Sequence, residues 1–280
     1  MSERSRIWFI TGVSSGLGRA LAEAALQRGE VVIGTLRKQD QLAEFEALAP
    51  GRAHGCLLDV TDKANIQSTV TGAIEAVGGI DVVVNNAGYG LAGAAEEVND
   101  AEIQHQMDTN FFGLVAVTQA ALPFMRAQKR GHVVNISSVA GYKGIGGMSI
   151  YSASKFAVEG FSESLAAEAA HLGIKVTIVE PGAFRTNWSS NAAIIRSAKV
   201  IDDYAPSAGV VRHGLEHMSG HQENDPAKGA LAIIAAVEAE QPPLRLPLGA
   251  DSVAYLRSKL AAMTAELDSW EAVASNTRFD

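Results

Sequence analysis

Residues 6–29, RIWFITGVSSGLGRALAEAALQRG, decide the fold. RIWFIT is an apolar, strand-like run, TGVSSGLG a glycine-rich turn, and RALAEAALQRG carries helical periodicity up to a glycine stop. A strand, turn and helix in succession set a helix N-terminus at a sheet edge. Its unpaired N–H groups and positive dipole end can hold a pyrophosphate there. Glycines 12, 16 and 18 let the backbone approach such an anion, and Ser14, Ser15 and Leu17 lie among them in the same turn. The spacing G-x-x-x-G-x-G differs from the commoner G-x-G-x-x-G fingerprint, so other segments must support the reading.

The next strand, EVVIGTLRKQ, ends at Leu36, Arg37 and Lys38. An acidic side chain roughly twenty residues past the glycines would grip an NAD ribose. Here there is none, and the Arg37 guanidinium can bind a 2′-phosphate in forked geometry, which favours NADP(H) while leaving NAD(H) open. RAHGCLLDVTD gives a third strand ending at Asp59 and Val60. Asp59 could accept a bond from an adenine amino group, or cap a helix beginning near Lys63. IDVVV (80–84) is apolar throughout, as expected of a strand buried on both faces. NNAGYG follows, where Asn86, Ala87 and Gly88 would flank the cofactor, and Asn85 either braces neighbouring strands or touches it.

Downstream, GHVVNIS is a fifth strand that delivers Ser138 to the sheet's carboxyl edge. Tyr151 and Lys155 stand four residues apart in YSASK, one helical turn, so a phenol lies beside a cation. Free tyrosine has a pKa of roughly 10. A nearby ammonium is expected to lower it and make Tyr151 a proton shuttle, with Ser138 polarising a substrate oxygen. A long helix is expected from 100 to 128. It holds Asn110 in an otherwise apolar stretch, where the amide ties down backbone or holds a water.

GIKVTIVEPGAFRTNW reads as a sixth strand and PLRLPLG as a short last one, with helices at DPAKGALAIIAAVEAE and at 250–272. Strands alternating with helices predict an α/β, doubly wound, seven-stranded parallel sheet. The expected single domain has a core at 5–186, a substrate lid at 187–225, and C-terminal helices with the last strand at 226–280. Met148, Phe184 and Trp188 would line a substrate pocket with Ser138 and Tyr151, and Tyr89, Leu91 and Ile145 are further candidates.

With 280 residues, 47% hydrophobic and 19% charged, the chain can bury a sizeable core. A net charge of −8 opposes nucleic acid and anionic membranes as partners. The single cysteine excludes an internal disulfide, and glycines interrupt the His213, His217, His221 series, so no metal site is expected. No signal-like or membrane-spanning run is evident, so a soluble, cytoplasmic protein is expected.

TGVSSGLG, NNAG, Asn110, Ser138 and YSASK, in this order and spacing, closely resemble the short-chain dehydrogenase/reductase family. GTLR with NNAGYG resembles its branch of 17β-hydroxysteroid and retinol dehydrogenases. The resemblance implies a catalytic tetrad of Asn110, Ser138, Tyr151 and Lys155. Tyr151 would exchange the proton and Lys155 would hold the nicotinamide ribose. Ser138 would steady the alkoxide, and Asn110 would order a water linking Lys155 to solvent. It further implies support of the nicotinamide by Pro181, Gly182 and Thr186, and a homodimer or homotetramer built through the helices at 100–128 and 151–171. The reaction expected is secondary alcohol to ketone, or the reverse, on a small apolar molecule. A non-catalytic sensor of the dinucleotide's redox state is the alternative.

Overall fold

The computed structural model describes residues 5–186, 193–218 and 220–279. Strand β1 (Ile7–Ile10) is wholly buried and its pleat alternates between two cores. Trp8 and Ile10 face one core, while Ile7 and Phe9 face the other. On the first face pack α1 (Gly16–Gln27), through Leu21, Ala25 and Leu26, and α8 (Pro226–Glu238), through Ile233, Ile234 and Val237. On the second pack α3 (Ile66–Val77), α5 (Gly113–Gln128) and α6 (Ser149–Ala169).

Beside β1 run β2 (Val31–Leu36), β3 (Ala53–Leu57), β4 (Val82–Asn85), β6 (Gly131–Ile136), β7 (Ile174–Pro181) and β9 (Arg245–Leu248). All seven are parallel, in the order β3-β2-β1-β4-β6-β7-β9. The order reverses between β1 and β4. There the chain leaves adjacent strands in opposite directions and opens a crevice at their carboxyl ends. The expected doubly wound sheet is thus present.

Two regions depart from expectation. The helix expected over 100–128 is three pieces: α4 (Asp100–Met107), a π-helical turn (Asp108–Phe112) that holds Asn110, and α5. The segment expected as a lid holds regular elements among its described residues. Strand β8 (Ile194–Arg196) pairs in parallel with β5 (Gly90–Ala92), and α7 (Val210–Met218) follows. His221 lies beyond the end of α7, so the three histidines do not share one helix. The chain ends in α9 (Ala250–Ala274), of which only Ser252 is buried. Among the described residues no helix is long and apolar enough to cross a membrane.

Candidate active site

β6 ends at Ile136, and Ser138 follows in extended conformation, its hydroxyl accepting from Ala140 N at 3.1 Å. Two residues into α6, Tyr151 is hydrogen-bonded to the Ser138 side chain. One turn on, Lys155 donates from Nζ to the Ile136 carbonyl at 2.8 Å, and its Nζ lies 5.9 Å from the centre of the Tyr151 ring. The fourth residue comes from the π turn. Asn110 accepts from Tyr89 N at 3.0 Å and donates to Tyr89 O at 2.9 Å and Ser154 Oγ at 3.2 Å. Of the two roles open from sequence, its side chain takes that of tying down backbone. A Cβ on Gly88 would lie 3.1 Å from Asn110 Oδ1 and 3.7 Å from Lys155 Nζ, so the loop after β4 passes directly over the pair.

The electrostatics correct one expectation. Burial pushes the Tyr151 phenol up to about 12, against the lowering effect of its bond to Ser138. Burial likewise pushes Lys155 down to about 8, opposed by Glu159 one turn further along α6. The ammonium therefore does not acidify the phenol. Both groups are nearly dry, and desolvation disfavours each charged form more than the pair's attraction favours it.

The glycine turn fits a dinucleotide phosphate. Gly12 and Gly16 have φ of 74° and 65°, in the left-handed region where a side chain is strained. Ser15, the N-cap of α1, makes no side-chain capping bond, and the first turn holds no acid. The first-turn N–H groups therefore remain for an anion. A Cβ on Gly18 would fall 2.5 Å from Gly12 O and would collide with the Asn86 amide. That amide donates to Thr11 O at 2.9 Å and Gly12 O at 3.0 Å, so Asn86 braces the turn. Ala87 N donates to Thr11 Oγ1, and Thr186 reaches back from beyond β7 to face Gly16. Asn85 bonds Thr118 and Asn135 and is therefore a strand brace.

At the far end of the crevice Leu36 is buried in the core and Arg37 is exposed. Asp59 accepts from Thr61 N at 2.9 Å and Thr61 Oγ1 at 2.7 Å, closing a turn beside Val60. It does not cap α3, whose N-cap is Asn65. Burial raises the Asp59 carboxyl, but the two Thr61 bonds and the Arg37 charge together hold it below its ordinary value. On the other side, Asp251 accepts from Ala183 N at 2.7 Å, and a Cβ on Gly182 would run into its carboxylate, which locks the loop after Pro181.

Around Tyr151 the side chains of Met148, Ala92, Ala140, Ile194 and Leu215 form an apolar cluster, with Ile145 and Val211 at its edge. Of the residues expected to line a substrate pocket, Met148 and Ile145 lie in this cluster. Phe184 does not: its ring packs against Gly229 and Leu17 in the sheet's first core. Tyr89 stacks on His105 at 5.3 Å, and Leu91 is buried outside the cluster. Trp188 lies outside the described residues. Sequence reasoning missed Ala92, Ile194, Val211 and Leu215, and also Glu97, which ties down the segment carrying Ile201 and Arg212. Glu97 is 2% exposed and accepts from Ala94 N, Ile201 N and, at 2.7 Å, Arg212 Nη2. Its one sequence signal is an acid pair, Glu96 and Glu97, set between apolar residues.

Residues 6–194 match the family model for the short chain dehydrogenases. A 3-ketodihydrosphingosine reductase of Bacteroides thetaiotaomicron is 39% identical over 87% of this chain and 88% of its own length. Retinol dehydrogenase 8 of Bos taurus is 35% identical over 88% of this chain and 82% of its own. The crystal structure of a short-chain dehydrogenase from Streptomyces avermitilis superposes with a TM-score of 0.92 at 45% identity, covering 99% of this chain and 100% of that one. With the sheet order, the glycine turn and the Ser138–Tyr151–Lys155 geometry in agreement, the chain belongs to the short-chain dehydrogenase/reductase family of oxidoreductases.

Proposed function

We propose that the chain is an NADP(H)-dependent oxidoreductase that interconverts a secondary alcohol and a ketone on a small, largely apolar substrate. The observation that carries this reading is the hydrogen-bonded Ser138–Tyr151 pair inside an apolar cluster, with Lys155 and the glycine turn beside it. The dinucleotide would lie along Gly12–Gly18, Asp59, Ala87, Gly88 and Pro181–Thr186, and when bound it supplies or accepts the hydride. The chain's own residues handle the proton. A phenol that keeps its proton across the neutral range is ready to donate to a carbonyl oxygen, while Ser138 supplies a second hydrogen bond to the oxygen as charge develops. In the oxidation direction the same phenol must first ionise. Lys155, fixed by the Ile136 carbonyl, is the cation placed to stabilise that anion.

NADP is favoured because Arg37 is exposed just past the end of β2, and the position that would carry a ribose-binding acid is Leu36, which turns into the core. An apolar substrate is favoured by the cluster over Tyr151, and the names of two relatives point to lipid-like ketones and alcohols. The test is NADPH oxidation by the purified chain across a panel of long-chain ketones, aromatic ketones, retinoid aldehydes and sugar-phosphate ketones. Turnover is expected with the apolar compounds and not with the phosphates. Tyr151→Phe should abolish turnover and still bind NADPH. Tight NADPH binding with no turnover on any compound would instead favour the sensor.

A further inference from the structure

α9 is 25 residues long and rooted only at its start. Ser252 Oγ donates to Glu180 O at 2.7 Å, Tyr142 donates its hydroxyl to Ser252 O at 2.8 Å, and Lys143 Nζ sits 4.7 Å over the Tyr255 ring. Beyond Leu256 the helix stands away from the body, with every residue from Leu260 to Ala274 exposed. Yet its sequence is not that of a solvated helix. Apolar residues recur at Val253, Leu256, Leu260, Met263, Leu267, Trp270 and Ala274, alternately three and four apart, which is an unbroken a/d heptad seam. Leu260, Met263, Leu267 and Trp270 are 55%, 52%, 62% and 61% exposed, a large apolar stripe for a chain alone in water.

The charges flanking the seam choose the occupant. Lys259 and Glu266 hold g positions, and Arg257 and Glu271 hold e positions. A parallel pair would set Glu266 of one copy against Glu271 of the other, like against like. An antiparallel pair sets Lys259 against Glu266 twice by symmetry. In that register Val253 meets Trp270, Leu256 meets Leu267, and Leu260 meets Met263, so each apolar layer from 253 to 270 is filled. We infer that α9 pairs antiparallel with α9 of a second copy of this chain about a two-fold axis. An isologous contact of this kind closes on itself and stops at two copies. A lipid surface suits the helix less well. Its stripe is a narrow seam rather than a broad face, and Glu266, Asp268 and Glu271 crowd its outer half, which anionic headgroups would repel. This contact is separate from the helices at 100–128 and 151–171, through which the family resemblance implied association.

The experiment is the mass of the full chain in solution by light scattering. Leu260→Glu with Leu267→Glu is expected to halve the mass of the unaltered chain. Far-UV circular dichroism of the body should hold, because neither residue enters a core. Lys259→Glu alone should weaken association, and adding Glu266→Lys should restore it. Mixing Lys259→Cys copies with Glu266→Cys copies should give a disulfide between unlike copies, since the one native thiol, Cys56, is buried. An unaltered chain that is monomeric at micromolar concentration overturns the inference. So do a mass that the double substitution leaves unchanged and cross-links that form only between like copies. Sedimentation of the monomer with anionic vesicles would assign the stripe to a membrane instead.

Discussion

Lys155 Nζ stands 5.9 Å from the centre of the Tyr151 ring but spends its hydrogen bond on the Ile136 carbonyl. The pair is therefore arranged as a neutral phenol beside a cation that burial has brought down to about 8, the phenol itself lying at about 12. Carbonyl reduction needs the phenol protonated and the ammonium charged. Its rate should be level from roughly pH 6 to 7 and fall as the pH rises through roughly 8, where Lys155 loses its proton. Alcohol oxidation needs the phenolate and should instead gain from alkalinity until Lys155 discharges. Steady-state profiles in both directions check this, and a reduction rate that climbs between pH 6 and 8 would mean the phenolate is the working form. Tyr151→Phe should cost about a thousandfold or more in turnover, since general acid catalysis and the oxygen's hydrogen bond go together.

Arg37 is exposed just past β2 and is felt electrostatically by Asp59, which follows the neighbouring strand β3. If its guanidinium forks a 2′-phosphate, Arg37→Ala should weaken NADPH binding by about 10- to 100-fold, the worth of a charge-assisted pair, and leave NADH nearly unchanged. Titration calorimetry with both dinucleotides reads this directly. Equal losses for the two would remove the phosphate grip.

Glu97 ties three separated segments to one carboxylate: its own turn at Ala94, the lid at Ile201, and α7 at Arg212. Burial raises its pKa, but the Ile201 and Ala94 amides and then the Arg212 charge bring it below the ordinary carboxylate range, so it is an anion at neutral pH. Glu97→Ala would leave Arg212 half-buried without its partner, a loss of about 3 kcal/mol by analogy with other broken buried pairs. The loss should be local. Amide exchange should quicken over 194–215, and KM for the carbonyl should rise more than kcat falls, because Ile194 and Leu215 pack with Tyr151 from this segment. Unchanged exchange in the lid would show that β5–β8 pairing alone holds it.

Glycine spacing, the apolar strand runs and the interval from Tyr151 to Lys155 are local signals, and the sheet and the nearness of those two side chains could be read from them. What could not be read depends on contacts between distant segments. β5 and β8 are three residues each, too short for an alternation to show, and exist because residues about a hundred apart meet. Phe184 looked like a pocket residue until Gly229 of α8 was found beneath it. The π turn at Asn110 is forced by two bonds to Tyr89, which no helical periodicity could announce. Even the shift of Tyr151 went the opposite way from its neighbour's charge, because sequence spacing shows the cation and not the dryness around it.

His132, on β6, supplies a test remote from the chemistry. Thr177 Oγ1 donates to Pro243 O at 2.8 Å, so its contact with His132 Nε2 at 2.9 Å must run from an imidazole N–H to the hydroxyl oxygen. The ring is neutral and buried. Burial, with smaller contributions from Lys175 and Arg6, brings its pKa from 6.5 to about 4. The unfolded chain binds this proton near 6.5 and the folded chain only near 4, so stability falls as the pH drops through that interval. The loss is about 3 kcal/mol. Glu180 acts in the opposite sense. Burial, then Glu159, raises it to about 7 against the pull of Arg245, so acidification from 7 toward 4.5 favours the fold through that residue. The raw stability profile therefore mixes the two, and the difference between the unaltered chain and His132→Gln isolates one. Denaturant unfolding at closely spaced pH values should show that difference opening below about 6.5 and levelling near 4, with the unaltered chain losing more. Parallel profiles would mean that His132 takes up its proton without leaving the fold.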